Sequence, residues 1–183
     1  TPIEKQGDLE RRDLLARRIR PFVLRRRKEE VARELPAKTV IVRKVELAGG
    51  QRDLYETVRA AMDAMVREEV GRNGFGRSQI LILDALLKLR QVCRDPRLVK
   101  AALAQRVTER AKLELLMTML PEQVEEGRRI LLFSQFTSML ALIEAELQQI
   151  GLPYVKLTGD TADRETPVRQ FQAGEVPIFL ISL

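Results

Sequence analysis

The chain has 183 residues, 45% of them hydrophobic and 32% charged, which is enough for one domain with an appendage. It contains one cysteine, Cys93, and no histidine, so an internal disulfide and histidine-dependent hydrolytic catalysis are excluded, and no zinc site is expected. No apolar run reaches the roughly 18 residues of a membrane span, and the first ten residues are polar. We therefore expect a cytoplasmic protein with no membrane partner, not secreted, and nucleoid-associated if bacterial.

The net charge of +6 is concentrated near the N-terminus. Residues 1–44 contain 14 Lys or Arg against 7 Asp or Glu, whereas residues 45–183 contain 18 against 19. Such an excess suits a polyanion such as nucleic acid, but a solvated basic helix face would give the same count. Charge alone leaves both interpretations open.

Residues 1–50 are predicted to form a basic helical linker followed by an edge strand. Helical spacing extends over residues 8–34 and is interrupted near Pro21. The segment Thr39–Leu47 is rich in β-branched residues and ends at Gly49-Gly50, which predicts a strand, and its Lys and Arg favour an edge position.

Residues 51–107 are predicted to form a helical hairpin insertion. The first helix covers Gln51–Val70, a flexible glycine-rich break follows at Gly71–Gly76, and Ser78 can cap the second helix, which ends before Pro96. One face of that second helix is apolar except for a single arginine: Ile80, Leu83, Leu87 and Arg90.

Residues 108–183 alternate between helices and short apolar strands. We predict strands at Ile130–Phe133, Pro153–Leu157 and Val176–Ser182, and Asp163 can cap the helix before the last strand. This alternation predicts parallel βαβ units with right-handed crossovers. Three strands are few for an open sheet and the last apolar strand closes the sequence, so we expect a truncated segment of a longer protein.

Small hydrogen-bonding residues follow each predicted strand. Ser134 and Gln135 follow the first, Thr158-Gly159-Asp160-Thr161 follows the second, and Ser182 ends the third. Open α/β sheets bind ligands at this edge, and hydroxyl, amide and backbone N–H groups suit phosphate oxygens. The same residues could also serve only as helix caps.

An ordered set of motifs resembles the Swi/Snf-type helicase-related ATPases. "ILLFSQF", "YVKLTGDT" and "IFLISL", with Arg164 and Phe171 between the last two, resemble the second RecA-like lobe of that family. Upstream, "RIRPFVLRRRKEEVARELPAKT" resembles the link between its two motor lobes, "LLKLRQVCRDPRLV" its Leu-Arg-x-x-Cys-x-x-Pro helix end, and "KLELL" the segment opening its second lobe. The resemblance covers residues 17–183 in one collinear order.

The resemblance implies a fold and a function. The fold is α/β, with a truncated parallel three-stranded RecA-like layer of the P-loop NTPase type in residues 108–183, preceded by the helical linker and the hairpin. The function is part of an ATP-dependent translocase on double-stranded DNA that remodels chromatin or another nucleoprotein. Its complete form would use ATP and Mg2+ and would pair this lobe with a first RecA-like lobe.

The resemblance also implies which residues contact the DNA backbone. Carried over position by position, the candidates at the strand ends are Ser134, Gln135, Thr158, Gly159 and Arg164. From its charge, we expect the basic N-terminal segment to add a second positive surface around Arg17, Arg18, Arg25, Arg26 and Arg27.

The motifs that would complete an ATPase site are missing from this sequence. It has no Gly-x-x-x-x-Gly-Lys-Ser/Thr and no Asp-Glu-x-His, and the family's motifs V and VI would follow "IFLISL". We therefore expect no catalysis and no bound cofactor from these residues alone. Two alternatives stay open: a nucleic-acid- or protein-binding module without enzyme activity, and an unrelated flavodoxin-like ligand binder, whose Gly-x-Gly-x-x-Gly loop is missing.

Overall fold

The structure, a computed structural model, describes residues 2–26, 31 and 36–183, which divide into two compact units, Thr1–Arg43 and Lys44–Leu183. In the first unit, helix α1 (Pro2–Gln6) is followed by helix α2 (Leu9–Ile19) and a 3-10 turn at Arg20–Phe22. Pro21 lies in that turn, which confirms the predicted interruption. Most of the second half of the predicted helix, residues 27–30 and 32–35, lies outside the described residues.

The predicted edge strand at Thr39–Leu47 is wrong. Residues 36–48 have no regular secondary structure, and the described part of the chain gives them no strand to pair with. Val40, Ile41 and Val42 are exposed. β-Branched residues favour a strand where a neighbour supplies hydrogen bonds and a buried face, and this segment has neither among the described residues.

The second unit begins with the predicted helical hairpin, formed by α3 (Gly49–Asn73) and α4 (Phe75–Arg94). The turn is much shorter than the predicted glycine-rich loop, because only Gly74 separates the two helices. Its φ of 76° lies in the left-handed region that favours glycine. Ser78 is not the cap of α4, since it lies inside the helix and its hydroxyl donates to the Gly74 carbonyl at 2.8 Å.

The start of α3 is capped by a carboxylate from a distant part of the chain. Glu109 accepts a hydrogen bond of 3.0 Å from the Gly50 N–H, and this bond holds the pKa of Glu109 below its usual value. Gly49 has a φ of 51°, and a Cβ at that position would collide with the Glu109 carboxylate. The glycine pair therefore begins a helix and admits its cap, where the sequence predicted the end of a strand.

A buried glutamine joins the hairpin to the rest of the unit. The Gln51 side chain is fully buried; its Nε2 donates to the Val92 carbonyl at 2.8 Å and its Oε1 accepts from the Ala111 N–H at 3.0 Å. Ala111 is the first residue of α5 (Ala111–Glu125). One amide therefore links the start of α3, the end of α4 and the start of α5.

The remaining residues form a three-stranded parallel sheet with the order β1-β3-β2, which confirms the predicted α/β class and the parallel strands. The strands are β1 (Ile130–Ser134), β2 (Tyr154–Leu157) and β3 (Ile178–Ser182); the helices between them are α6 (Thr137–Gln149) and α7 (Glu165–Ala173). Among the described helices, none combines the length and the apolar character needed to cross a membrane.

The two faces of the sheet are covered to different extents. On one face, buried residues of α5, α6 and β3 make the main core: Leu113, Leu120, Met139, Leu140, Ile143, Leu147, Ile178 and Leu180. On the other face, Phe171 of α7 packs against Phe179 with ring centroids 5.4 Å apart. The neighbouring β1 side chains Leu131 and Phe133 are half exposed.

Replacing Gln51 by methionine should destabilise the second unit by about 2–4 kcal/mol, because the volume is kept but the buried Val92 carbonyl and Ala111 N–H lose their partner. Urea unfolding followed by circular dichroism measures the change. Gln105→Met is the matched control: Gln105 also donates to a carbonyl, that of Val99 at 3.2 Å, but it is exposed. The control should change the unfolding free energy by less than about 0.5 kcal/mol; equal effects of the two substitutions would contradict the role of Gln51.

Candidate nucleic-acid interface

The register of the sheet brings the ends of all three strands to one edge. Ser134 pairs with Ser182, and Leu157 pairs with Ile181, so Thr158 lies level with Ser182. With neighbouring strands about 4.8 Å apart, the backbones at Ser134 and Thr158 are separated by about 10 Å. The residues that the sequence singled out therefore lie on the same carboxyl edge of the sheet.

Ser134 shapes the turn after β1. Its side chain is buried, its hydroxyl donates to the Phe136 carbonyl at 3.1 Å, and the same oxygen accepts from the Phe136 N–H at 3.1 Å. Ser134 is therefore not exposed for the direct DNA-backbone contact that the resemblance implied. A short hydroxyl side chain here satisfies two backbone groups between β1 and α6, which leaves the exposed position to the next residue, Gln135.

Gln135 is exposed, and an arginine of the hairpin holds its side chain. The amide oxygen of Gln135 accepts a hydrogen bond from Nη2 of Arg90 in α4. A guanidinium group has donors only, so it must meet the oxygen of the amide and not its nitrogen. This contact leaves the Gln135 NH2 group as a donor at the edge of the sheet.

The turn after β2 is organised by its own hydroxyl and backbone groups. The Thr158 N–H donates to Thr161 Oγ1 at 2.8 Å, and the Arg164 guanidinium donates to the Gly159 carbonyl at 3.4 Å, a long contact. Gly159 is exposed and has open space where a side chain would lie. Arg164 is exposed and has no carboxylate partner among the described residues, so its guanidinium can serve a ligand as well as its own loop.

Asp163 caps α7, as predicted. Its carboxylate accepts hydrogen bonds of 3.1 Å from the N–H groups of both Glu165 and Thr166. The bonds from Thr166 lower the pKa of Asp163 most, with a further contribution from the Glu165 N–H. The cap fixes the start of α7 directly beside Arg164, the N-terminal neighbour of that helix.

The N-terminal arginine candidates belong to the first unit. Arg25 and Arg26 are exposed, and the described residues give neither of them a carboxylate partner. Arg27 lies outside the described residues. Their role as a second positive surface stays a prediction.

Three cations near the end of β1 were missed in the sequence. Besides Arg90, the guanidinium of Arg94 lies 4.5 Å from the centre of the Phe136 ring, and Lys112 of α5 lines the same hollow as Gln135. Arg90 and Arg94 come from a helix some 40 residues before the turn they meet, so no local pattern connects them. The sequence held one signal for this site, which was Arg90, the single arginine on the otherwise apolar face of the second hairpin helix.

Comparisons with known proteins identify the family. The helicase conserved C-terminal domain matches residues 111–183. These residues contain the three-stranded parallel sheet, so the RecA-like sheet belongs to a helicase C-terminal domain. The SNF2-related domain matches residues 1–98. The chain belongs to the SNF2-related family, and this assignment sets aside the flavodoxin-like alternative.

The relatives are much longer than this chain. It is 34% identical over 177 residues to the probable ATP-dependent DNA helicase CHR23 of Arabidopsis thaliana. This match covers 90% of this chain and 16% of that protein. It is 34% identical over 190 residues to the putative ATP-dependent helicase/translocase YwqA of Bacillus subtilis (strain 168), covering 100% of this chain and 20% of the relative. The solved Sulfolobus solfataricus SWI2/SNF2 ATPase core in complex with dsDNA matches with a TM-score of 0.68 and 27% identity, over 97% of this chain and 38% of that one.

Asp163 should contribute stability that depends on pH. Its pKa is lower in the folded than in the unfolded chain, so the contribution is present above the ordinary aspartate pKa of about 4 and is lost as the pH falls through the folded value. Asparagine keeps the capping oxygen without the charge. The wild type should therefore be more stable than Asp163→Asn at pH 7, and the difference should vanish in acid.

Urea unfolding of both proteins between pH 7 and about pH 2 measures this difference. Asp160→Asn removes a nearby carboxylate that caps no helix and should follow the wild-type pH profile. A difference between the wild type and Asp163→Asn that does not change with pH would contradict the proposed contribution of the charge.

Proposed function

We propose that this chain is part of an ATP-dependent motor that translocates along double-stranded DNA and remodels a nucleoprotein target. The observation that supports it best is the sheet register, which brings Gln135 and the Thr158–Gly159 turn to one edge of a SNF2-type lobe. One similar protein is named a probable ATP-dependent DNA helicase and another a putative ATP-dependent helicase/translocase, and a similar fold was solved with duplex DNA.

In this proposal the strand-end edge contacts the DNA backbone in two chemically different ways. The Gln135 amide and the hydroxyl and backbone N–H groups of the Thr158 turn are neutral donors. Such donors orient a duplex without adding charge. Arg164 adds a positive charge, which supplies the salt-dependent part of the affinity. Gly159 leaves open space for a phosphate to approach the turn. Ser134 acts through the turn that presents Gln135.

The first unit adds a basic surface in the same proposal. Arg25 and Arg26, with Arg27 next to them in sequence, are the candidates, and the positive charge excess of residues 1–44 supports an interaction with a polyanion.

The residues present here do not fit ATP and Mg2+ by themselves. The hydroxyls of Ser134 and Thr161 that could ligate a metal ion bond within their own turns, and the sequence has no phosphate-cradling loop. In the complete motor the nucleotide and the metal would be held by a first RecA-like lobe. Arginine fingers from outside these residues would stabilise the charge on the transferred phosphoryl group.

The DNA contacts are tested by two substitutions in a two-lobed protein that contains this chain. Arg164→Ala should weaken duplex binding and flatten the dependence of log K on log salt by about one unit, because one cation is removed. Gln135→Ala should weaken binding but leave the slope nearly unchanged. Fluorescence anisotropy of a labelled duplex across a salt series gives both quantities.

Arg128→Ala is the control for these substitutions. Arg128 precedes β1 at the opposite, amino edge of the sheet and is paired with Glu126 at 2.6 Å, so its loss should leave both affinity and slope unchanged. Equal affinities for the wild type, Arg164→Ala and Gln135→Ala at every salt concentration would overturn the strand-end contacts.

The isolated 183-residue chain should hydrolyse no ATP above the buffer background, with or without duplex DNA. The reason is that neither the phosphate-binding loop nor the acidic metal ligand nor the arginine finger occurs in its sequence. A phosphate-release assay measures the turnover, with a two-lobed protein as the positive control. DNA-stimulated turnover that stays with the isolated chain through successive purification steps would contradict this expectation.

A further inference from the structure

The cations around the end of β1 are not paired with carboxylates in the described part of the chain. Two neighbouring cations have carboxylate partners: Lys88 of the same helix as Arg90 and Arg94 lies 2.8 Å from Asp84, and Arg97 lies 2.8 Å from Asp95. Arg90, Arg94 and Lys112 have none among the described residues. Arg90 contacts an amide oxygen, Arg94 lies over an aromatic ring, and Lys112 faces a hollow.

The hollow has no carboxylate side chain in its lining, which includes Leu183 at the end of this sequence. Its polar lining consists of Arg94, Lys112, Ser134 and Gln135, and the rest is apolar. The Ser134 hydroxyl is used within its own turn, so the groups available to a ligand are a guanidinium, an ammonium and the Gln135 NH2 group. All three are donors, and two are charged, which defines a site for an anion.

This arrangement is unfavourable without an anion. Arg90 and Arg94 are four residues apart on one helix, where like charges repel. Burial lowers the pKa of Arg94, and the nearby charge of Arg90 lowers it further. The neighbouring contacts nevertheless hold both guanidinium groups near the end of β1, since Arg90 is bonded to Gln135 and Arg94, which lines the hollow, is stacked on Phe136.

We propose that Arg94, Lys112 and the Gln135 amide form a phosphate-binding corner between the hairpin and the sheet, and that its ligand is a backbone phosphate of duplex DNA. Arg90 is a positioning residue, because its donors turn the Gln135 amide so that the nitrogen faces the ligand. The choice of DNA over a free phosphate rests on the proposed function. We choose DNA because the corner shares Gln135 with the strand-end edge, which is the proposed DNA contact. The corner extends that edge to the base of the hairpin.

The test measures duplex binding across a salt series in a two-lobed protein that contains this chain. Arg94→Gln and Lys112→Gln should each flatten the slope of log K against log salt by about one unit, because each removes one cation that meets a phosphate. Lys88→Gln is the matched control: it removes a lysine of the same helix whose charge is already paired with Asp84, and the slope should not change. Lys112 is exposed, so its variant keeps the test valid if Arg94→Gln fails to fold.

A double-mutant cycle tests the positioning role of Arg90. Arg90→Lys keeps the charge but loses the planar group that meets the amide. It should weaken DNA binding in the wild-type background and have no further effect once Gln135 is alanine. An equal effect in both backgrounds would assign Arg90 a merely structural role and overturn its part in the proposal.

The outcomes separate this proposal from the function on which it rests. If the wild type binds duplex DNA and both Arg94→Gln and Lys112→Gln keep its salt slope, the corner is overturned and the proposed function is untouched. If the wild type does not bind duplex DNA, the proposed function fails first. Titration with inorganic phosphate, followed by calorimetry, distinguishes the ligand source: phosphate binding that Lys112→Gln abolishes, with an unchanged DNA slope, would overturn DNA as the ligand.

Discussion

The buried side chain of Gln51 connects three helices through residues that lie 41 and 60 positions further along the chain. Burying an amide is costly unless both of its polar atoms are bonded, and here the nitrogen bonds the Val92 carbonyl while the oxygen bonds the Ala111 N–H. The geometry that satisfies both bonds fixes the end of α4 and the start of α5 against the same point. Arg94 lies two residues beyond Val92, and Lys112 follows Ala111, so the positions of both cations depend on this one amide.

An ionic network also links the end of α4 to the lobe. Asp95, fully buried at the end of α4, receives two bonds from the Arg97 guanidinium, at 2.9 Å and 2.8 Å. Arg97 and Arg110 both approach Glu146 of α6, at 4.0 Å and 3.7 Å. Buried ion pairs add little net stability because desolvation opposes them, but they penalise any arrangement that separates them. The network therefore acts mainly by selecting one orientation of the hairpin on the lobe.

The elements that the sequence predicts correctly are those whose signal is local. The three strands and the helices between them follow from periodicity and from residues such as Asp163, whose capping bonds reach only two and three positions ahead. The failures concern interactions that depend on distant partners. Thr39–Leu47 has strand-forming residues but no neighbouring strand among the described residues. The glycine pair Gly49-Gly50 is explained by Glu109, and the site around Gln135 is completed by Arg90 from the hairpin. For Ser134, the sequence shows a polar side chain but not that the backbone of its own turn uses the hydroxyl.

The single-residue turn at Gly74 has a mechanical consequence. With only Gly74 between them, α3 and α4 pack against each other up to their tip. The 25 residues of α3 extend for about 37 Å at the rise of an α-helix. The base of the helix pair is anchored by Gln51. At this helix length, a rotation of the base by about 10° would move the tip by about 6 Å. A rotation of that size at the base would therefore displace the tip by about one turn of a helix.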